Sequence, residues 1–133
     1  MKVTLDTNVL VRLCTQDDAA QAAVALQAVK AATLIALPTT TLCELVWVLT
    51  RGYRYGCADV ANAVRLLVHT RHVVCDMPAV LAGLALLESG GDFADGVIAF
   101  EGGALGGSEF VSFDQQAVKL LKRAKRKAHL LVA

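Results

Sequence analysis

Short apolar runs alternate along the chain with longer segments in which apolar residues recur at helical spacing. The runs have the length of strands, and they fall at residues 2–5, 34–38, 72–76, 109–113 and 129–132. Between them, the pattern predicts helices at about 18–31, 39–50, 58–70, 78–89, 92–104 and 114–126, with Asp6 or Thr7, Thr39–Thr41, Asp59 and Asp92 as N-caps. Strands that alternate with helices are typical of crossover connections. The chain is therefore expected to form an α/β fold with a parallel sheet.

Length and composition favour a single domain over residues 1–133 with a sizeable core. Hydrophobic residues make up 56% of the chain, yet the longest apolar run, 77–87, is shorter than the roughly 20 residues that span a bilayer. The N-terminus enters strand-like sequence directly, without a signal peptide pattern. We therefore expect a cytoplasmic protein without a membrane segment.

The four cysteines do not form the spacings that bind zinc. None belongs to a Cys-x-x-Cys pair or to a cluster with histidine. Cys14, Cys43 and Cys75 lie in apolar stretches, so we interpret them as small buried hydrophobic residues in a reducing compartment.

Five acids lie in sequence that otherwise predicts core. They are Asp6, Glu44, Asp92, Asp95 and Asp114, out of 12 acids in the chain. Only Asp6 has a cation three or four residues away, namely Lys2. A carboxylate within a core must be paired, protonated or bound to a cation. We therefore ask which partner satisfies the charge of these five carboxylates, because that partner indicates the function.

The predicted elements allow these acids to converge. Asp6 and Asp114 each follow a strand, and ligands of parallel sheets bind at the carboxyl ends of strands. Glu44 and Asp95 are expected in the first turns of helices that start from the same side. The alternative is structural: Asp6, Asp92 and Asp114 would then be helix N-caps, and Asp95 would interact with the helix dipole. Glu44, between Leu45, Val46 and other apolar residues, is the hardest to explain in that way.

Converging carboxylates would repel one another and raise some of their pKa values. A hard divalent cation removes this repulsion, and a carboxylate set without His or Cys is typical of Mg²⁺ or Mn²⁺. Such ions can activate water and stabilise both oxygens of a phosphodiester displacement. The reaction class that fits is metal-assisted phosphodiester hydrolysis.

Four short motifs, in order along nearly the whole chain, resemble those of PIN-domain ribonucleases, in particular VapC-type toxins. They are Leu5-Asp6-Thr7-Asn8, the segment around Glu44, Asp92-Phe93-Ala94-Asp95 and Val111-Ser112-Phe113-Asp114. The resemblance implies that four acids are catalytic and hold the metal, with Asp92 as an accessory ligand and three supporting side chains. The four acids are Asp6, Glu44, Asp95 and Asp114, and the supporting residues are Thr7, Asn8 and Ser112.

This resemblance also implies a fold, an activity and partners. The expected fold has three layers, with a central parallel sheet of four to five strands flanked by helices. The expected activity is that of an endoribonuclease dependent on Mg²⁺ or Mn²⁺, the toxin of a type II toxin–antitoxin system, with RNA as substrate, a cognate antitoxin and a homodimeric state. Gly96 stands where the family usually has Ala, and Gly102-Gly103 interrupts a stretch that is normally better helix, which puts the rigidity of that helix in doubt.

Two other functions compete with this interpretation. One is a phosphatase with an Asp nucleophile at a strand end, although Asn8 stands where such enzymes often place a second acid. The other is a non-catalytic PIN-like binding module that keeps the fold as a docking surface.

Three further features bear on RNA binding. The basic residues between Lys119 and Lys127 could contact phosphates or form a solvated helix face. Arg51 and Arg54, in a turn with two tyrosines, could line an RNA groove, contact an antitoxin or be plainly exposed. Trp47 is expected in the core.

Overall fold

The computed structural model describes residues 1–133, which form two compact units, Met1–Asp76 and Met77–Ala133. Both units combine parallel strands with helices, so the predicted α/β class is confirmed. No helix is both long and apolar enough to cross a membrane. The prediction of a single domain over residues 1–133 stays a prediction.

The first unit is a parallel sheet with helices packed around it. Its strands are β1 (Lys2–Thr4), β2 (Leu34–Ala36) and β3 (Val73–Val74), paired in that order with β2 in the centre. Its helices are α1 (Thr7–Cys14), α2 (Ala19–Ala31), α3 (Thr39–Trp47), a π-helix (Val48–Gly52) and α4 (Cys57–Val68). Ile35 on β2 lies opposite Val3 on one side and Val73 on the other, which aligns β-branched side chains across the sheet.

Helix α3 has one strongly apolar face. The residues that it and the following π-helix bury are Leu42, Leu45, Val46 and Leu49, at the spacing of one helical stripe. Positions on the other side, such as Thr40, Glu44 and Trp47, are exposed. The expectation that Trp47 belongs to the core is therefore wrong: 60% of this residue is exposed.

The end of α3 widens into a π-helical turn. The Tyr53 N–H donates to the Val48 carbonyl at 3.1 Å, a bond that spans five residues instead of four. Such turns are rare and are found often at functional sites. The beginning of α3 also differs from the expectation, because Pro38 occupies the N-cap without a side-chain hydrogen bond. Asp59 likewise lies in the first turn of α4, and Gly56 is the N-cap.

The second unit contains α5 (Met77–Glu88), α6 (Phe93–Ala104), β4 (Phe110–Ser112), α7 (Gln115–Arg123) and β5 (Ala128–Leu130). Strands β4 and β5 pair in parallel. A core cluster joins α5, α7 and β5 through the buried residues Leu86, Val118, Leu120, Leu121 and Ala128. The strands of the whole chain therefore hydrogen-bond as a three-stranded and a two-stranded sheet.

Helices α5 and α6 approach each other closely because two glycines lie at their contact. A Cβ at Gly96 would clash with the Ala82 carbonyl and come within 2.9 Å of the Gly83 Cα, both of which belong to α5. A Cβ at Gly83 would lie 2.7 Å from the Phe93 ring. Gly96 is thus required by packing, and α6 runs unbroken through Gly102-Gly103 to Ala104. The two glycines therefore do not end the helix, and its rigidity stays a prediction.

This contact predicts that Gly96→Ala destabilises the protein although alanine is the better helix former. Backbone atoms of α5 would have to move, and overpacking of this kind typically costs about 1–3 kcal/mol of unfolding free energy. Urea denaturation followed by circular dichroism measures the change.

Gly102→Ala is the matched control, because it lies in the same helix and a Cβ there meets nothing within 4 Å. We expect this variant to be neutral or more stable by up to about 1 kcal/mol. Equal stabilisation by both substitutions would contradict the proposed close contact.

Candidate active site

Most of the acids that the sequence singles out lie at the surface. Asp6, Glu44, Asp92 and Asp114 are exposed, and Asp95 is half-buried. The expectation that all five are embedded in the core is therefore wrong. Beside Glu44 the apolar residues Leu45 and Val46 are buried on the other side of the helix, whereas Phe113, next to Asp114, is itself 69% exposed. Water solvates four of these charges, and only Asp95 meets a desolvated environment.

In the first unit, a hydrogen bond connects two of the predicted motifs. The Thr7 hydroxyl donates to the Glu44 carboxylate at 3.1 Å, and the Thr7 backbone N–H donates to the Asp6 carboxylate at 2.8 Å. Asp6 is at the same time the N-cap of α1, as the structural alternative predicted. Thr7 thus contacts both acids, and its supporting role at a metal site stays a prediction.

Asp6 and Glu44 line one cleft of about 400 Å³ between α1 and α3. Its other lining residues include the predicted Asn8, together with Arg12 and Tyr53. Glu44 lies in the second turn of α3 and not in the first, because the helix already begins at Thr39. The cleft is open and polar, which suits a solvated, charged ligand rather than an apolar one.

The second unit contains the other three acids, and two of them are helix caps. Asp92 is the N-cap of α6 and accepts from the Ala94 N–H at 3.2 Å, while Asp95 lies in the first turn of that helix. Asp114 is the N-cap of α7 and accepts from the Ala117 N–H at 3.0 Å. The Ser112 hydroxyl accepts from the Asp114 N–H at 2.9 Å and so fixes the backbone that carries this acid.

The three acids of this unit interact electrostatically. Burial raises the pKa of Asp95 above its usual value, and the negative charges of Asp92 and Asp114 raise it further. The two neighbours therefore lie close enough for Asp95 to feel their charge. A cation bound to Asp95 would reverse this effect by favouring the ionised form.

The donor atoms fit Mg²⁺ or Mn²⁺, since the acids offer oxygen ligands and no nitrogen or sulfur. No group of three or more His, Cys, Asp or Glu side chains stands in an arrangement that could hold a metal ion. A shared metal site for the four acids therefore stays a prediction.

A polar network beside the cleft of the first unit was not predicted from the sequence. Arg12 on α1 donates to Asp17 at 2.8 Å and to Gln21 at 2.6 Å, and the Tyr53 hydroxyl donates to Asp17 at 2.7 Å. The buried Thr15 hydroxyl also donates to Asp17 at 2.8 Å. The network connects α1 to the end of the π-helix that follows Glu44. The half-buried Tyr53 side chain is therefore held by this network, whereas Arg51, Arg54 and Tyr55 around it are exposed.

The cysteines are less buried than expected. Cys14, Cys43 and Cys75 are half-buried and Cys57 is exposed, and none of them forms a disulfide. Burial raises the pKa of Cys14 to about 11, so its thiol stays protonated at neutral pH. The three cysteines interpreted as buried residues are thus only partly buried.

The network predicts how stability changes with pH when Asp17 is replaced. Hydrogen bonds from Tyr53 and Thr15, followed by the charge of Arg12, lower the pKa of Asp17. A lowered native pKa stabilises the fold at pH values above the unfolded pKa of about 4, and this contribution is lost as the pH falls through the native pKa. Asp17→Asn should therefore destabilise the protein at pH 7 and have a smaller effect in acid.

Urea midpoints of both proteins at pH 7 and near pH 3 measure this difference. Glu109→Gln is the control, because it removes an exposed acid outside the network. A stability difference that stays constant or grows as the pH falls would contradict the role given to Asp17.

A family model places the chain in a family. Neither the comparison with curated proteins nor that with solved structures found a match. The family model described as PIN domain matches residues 3–127, a range that includes all five candidate acids. Because this match spans nearly the whole chain, the protein belongs to the PIN domain family.

Proposed function

We propose that the protein is a metal-dependent endoribonuclease and the toxin of a type II toxin–antitoxin pair. PIN domains are in general nucleases, so family membership supports the reaction class. The four motif acids occur in order within the matched range, and none is replaced. RNA as substrate, the metal and the toxin role go beyond family membership and are part of the proposal.

The observation that carries this proposal is the grouping of motif acids within each unit. Thr7 contacts both Asp6 and Glu44, and these two acids line the same cleft. In the other unit, Asp95 responds to the charges of Asp92 and Asp114. Like charges gathered in this way stabilise neither unit by themselves. Their grouping is explained if they serve a cationic cofactor.

We propose that Asp6, Glu44, Asp95 and Asp114 hold Mg²⁺ or Mn²⁺, with Asp92 as an accessory. The ion supplies charge stabilisation and water activation for phosphodiester hydrolysis when it is bound. The chain itself orients the ligands: helix caps fix Asp6 and Asp114, and Thr7 and Ser112 hold Glu44 and the Asp114 backbone. Such supporting hydrogen bonds commonly set ligand orientation at metal sites.

Basic residues near the C-terminus are proposed to contact RNA phosphates. Lys119, Lys122 and Arg123 are exposed on α7, the helix that Asp114 begins. Arg126 instead lies over the Phe100 ring, 5.6 Å from its centroid, which ties that side chain to α6. The exposed cations of α7 would supply sequence-independent, salt-dependent affinity.

An antitoxin partner and a homodimer are further parts of the proposal. Helix α2 exposes Val24 and Leu26, of which 71% and 45% are accessible. A toxin–antitoxin complex or a dimer that covers these two side chains would reduce the apolar surface that the protein exposes to water.

RNA cleavage tests the enzymatic part of the proposal. We expect cleavage of single-stranded RNA with Mg²⁺ or Mn²⁺, none with EDTA, and a loss of about 100-fold or more in kcat for Asp6→Asn and Asp95→Asn. Asp59→Asn is the control, since this exposed acid lies outside the motifs. Undiminished cleavage by both site variants would contradict the assignment of the acids.

Metal binding should also stabilise the fold without any reaction. A ligand that binds only the native state at about 100 times its Kd adds about 2.7 kcal/mol to the free energy of unfolding. Mn²⁺ should therefore raise the Tm of the wild type, and it should raise the Tm of Glu44→Gln and Asp114→Asn much less. A wild-type Tm that does not change when Mg²⁺ or Mn²⁺ is added would favour the non-catalytic binding module.

A further inference from the structure

The chain exposes its largest side chain beside the proposed active site. Trp47 is the single tryptophan of the sequence, and 60% of it is accessible although it lies near the end of α3. The apolar face of this helix is complete without it, because Leu42, Leu45 and Leu49 are fully buried. Packing of that core therefore does not explain why an indole stands at this exposed position.

Trp47 shares a face of α3 with a candidate metal ligand, and a cation follows in the π-helix. Glu44 and Trp47 are exposed at positions i and i+3, a spacing that keeps side chains on one side of an α-helix, and Arg51 is exposed in the π-helix that continues α3. At 1.5 Å of rise per residue, Trp47 lies about 4.5 Å beyond Glu44 along the axis. An acid, an aromatic ring and a cation thus follow one another from the cleft along the exposed surface of α3 and the π-helix.

This order matches the chemistry of a nucleotide chain. Glu44 lines the cleft in which phosphodiester chemistry is proposed, so a phosphate held there would place an adjacent base near the indole. Base stacking on aromatic side chains is a major source of affinity for single-stranded nucleic acids, and Arg side chains contact the following phosphates. Arg54, exposed with a left-handed φ of 57°, provides a second cation just beyond the π-helix.

We propose that Trp47 is a stacking platform for an unpaired base adjacent to the cleaved phosphodiester. The inference rests on the proposed ribonuclease function and adds to it a residue that positions the substrate. A base within a duplex has both faces covered by its neighbours, whereas an unpaired base can be splayed out and stacked on a side chain. The enzyme would therefore cleave RNA in single-stranded segments, such as loops or ends.

A second copy of the chain is the competing occupant of this surface. The centres of protein interfaces are depleted of charged residues. The exposed neighbours of Trp47 along its own helix are Glu44 and Arg51, one acid and one base, instead of further apolar side chains. These surroundings favour a ligand that combines an aromatic face with phosphates over the apolar surface of a second copy.

The single tryptophan makes stacking directly measurable. We would titrate the wild-type protein with an unstructured RNA of about 12 nucleotides, with Ca²⁺ as the divalent ion and a gel to verify that the RNA stays intact. Stacking should quench the indole fluorescence and protect it from acrylamide. A hairpin with a fully paired stem and a minimal loop should bind more weakly.

Substitutions test whether the ring contributes to affinity. Trp47→Ala should raise the Kd for this RNA about 5- to 150-fold, and Trp47→Phe should retain most of the affinity. Leu66→Ala is the matched control, because it truncates another exposed apolar side chain, 74% accessible, on α4. Circular dichroism and Tm verify that each variant is folded.

The outcomes separate this inference from the function on which it rests. RNA cleavage by the wild type with unchanged Kd and KM in Trp47→Ala would overturn the stacking role and leave the ribonuclease intact. A wild type that neither binds nor cleaves RNA with any divalent ion would overturn both. Indole emission that shifts with protein concentration in the absence of RNA would show that a second copy covers Trp47, and would also overturn the inference.

Discussion

Aspartates that begin helices also provide the charge of the candidate site. Asp6, Asp92 and Asp114 are the N-caps of α1, α6 and α7, and each accepts a hydrogen bond from a backbone N–H of its helix. The need to satisfy these N–H groups fixes the three carboxylates where strands or loops end. Capping and ligand binding are therefore compatible uses of one residue, since a carboxylate has two oxygens. The capping roles of these acids are confirmed, and their metal-binding roles stay a proposal.

Packing between α5 and α6 explains why Asp95 differs from the other acids. Gly96, the next residue along α6, lets this helix approach the backbone of α5, and the first turn of α6 is partly buried as a result. The carboxylate of Asp95 is thereby desolvated, and Asp92 and Asp114 add their charges to the effect. A glycine that weakens helix propensity thus lies next to an acid whose pKa is raised, first of all by burial.

Local sequence predicted more of the fold than of the surroundings of the site. Strand positions, the helix bounds of α2 and α6 and the cap at Asp92 followed from periodicity and capping chemistry. The spacing of Leu42, Leu45, Val46 and Leu49 also indicates that Glu44 and Trp47 lie on the exposed side of the helix. The dense apolar sequence around them concealed this pattern. The contacts of Asp17 with Arg12 and Tyr53 could not be foreseen, because they join residues up to 36 positions apart.

The central claim is that four carboxylates hold the metal ion of a PIN-domain nuclease. A crystal structure with Mn²⁺, recorded at a wavelength at which manganese scatters anomalously, tests this claim most directly. We predict an anomalous peak with oxygens of Asp6, Glu44, Asp95 and Asp114 among its ligands or among the acceptors of its bound waters, at direct metal–oxygen distances of about 2.0–2.2 Å. A manganese peak held by other residues, or none at saturating Mn²⁺, would contradict it.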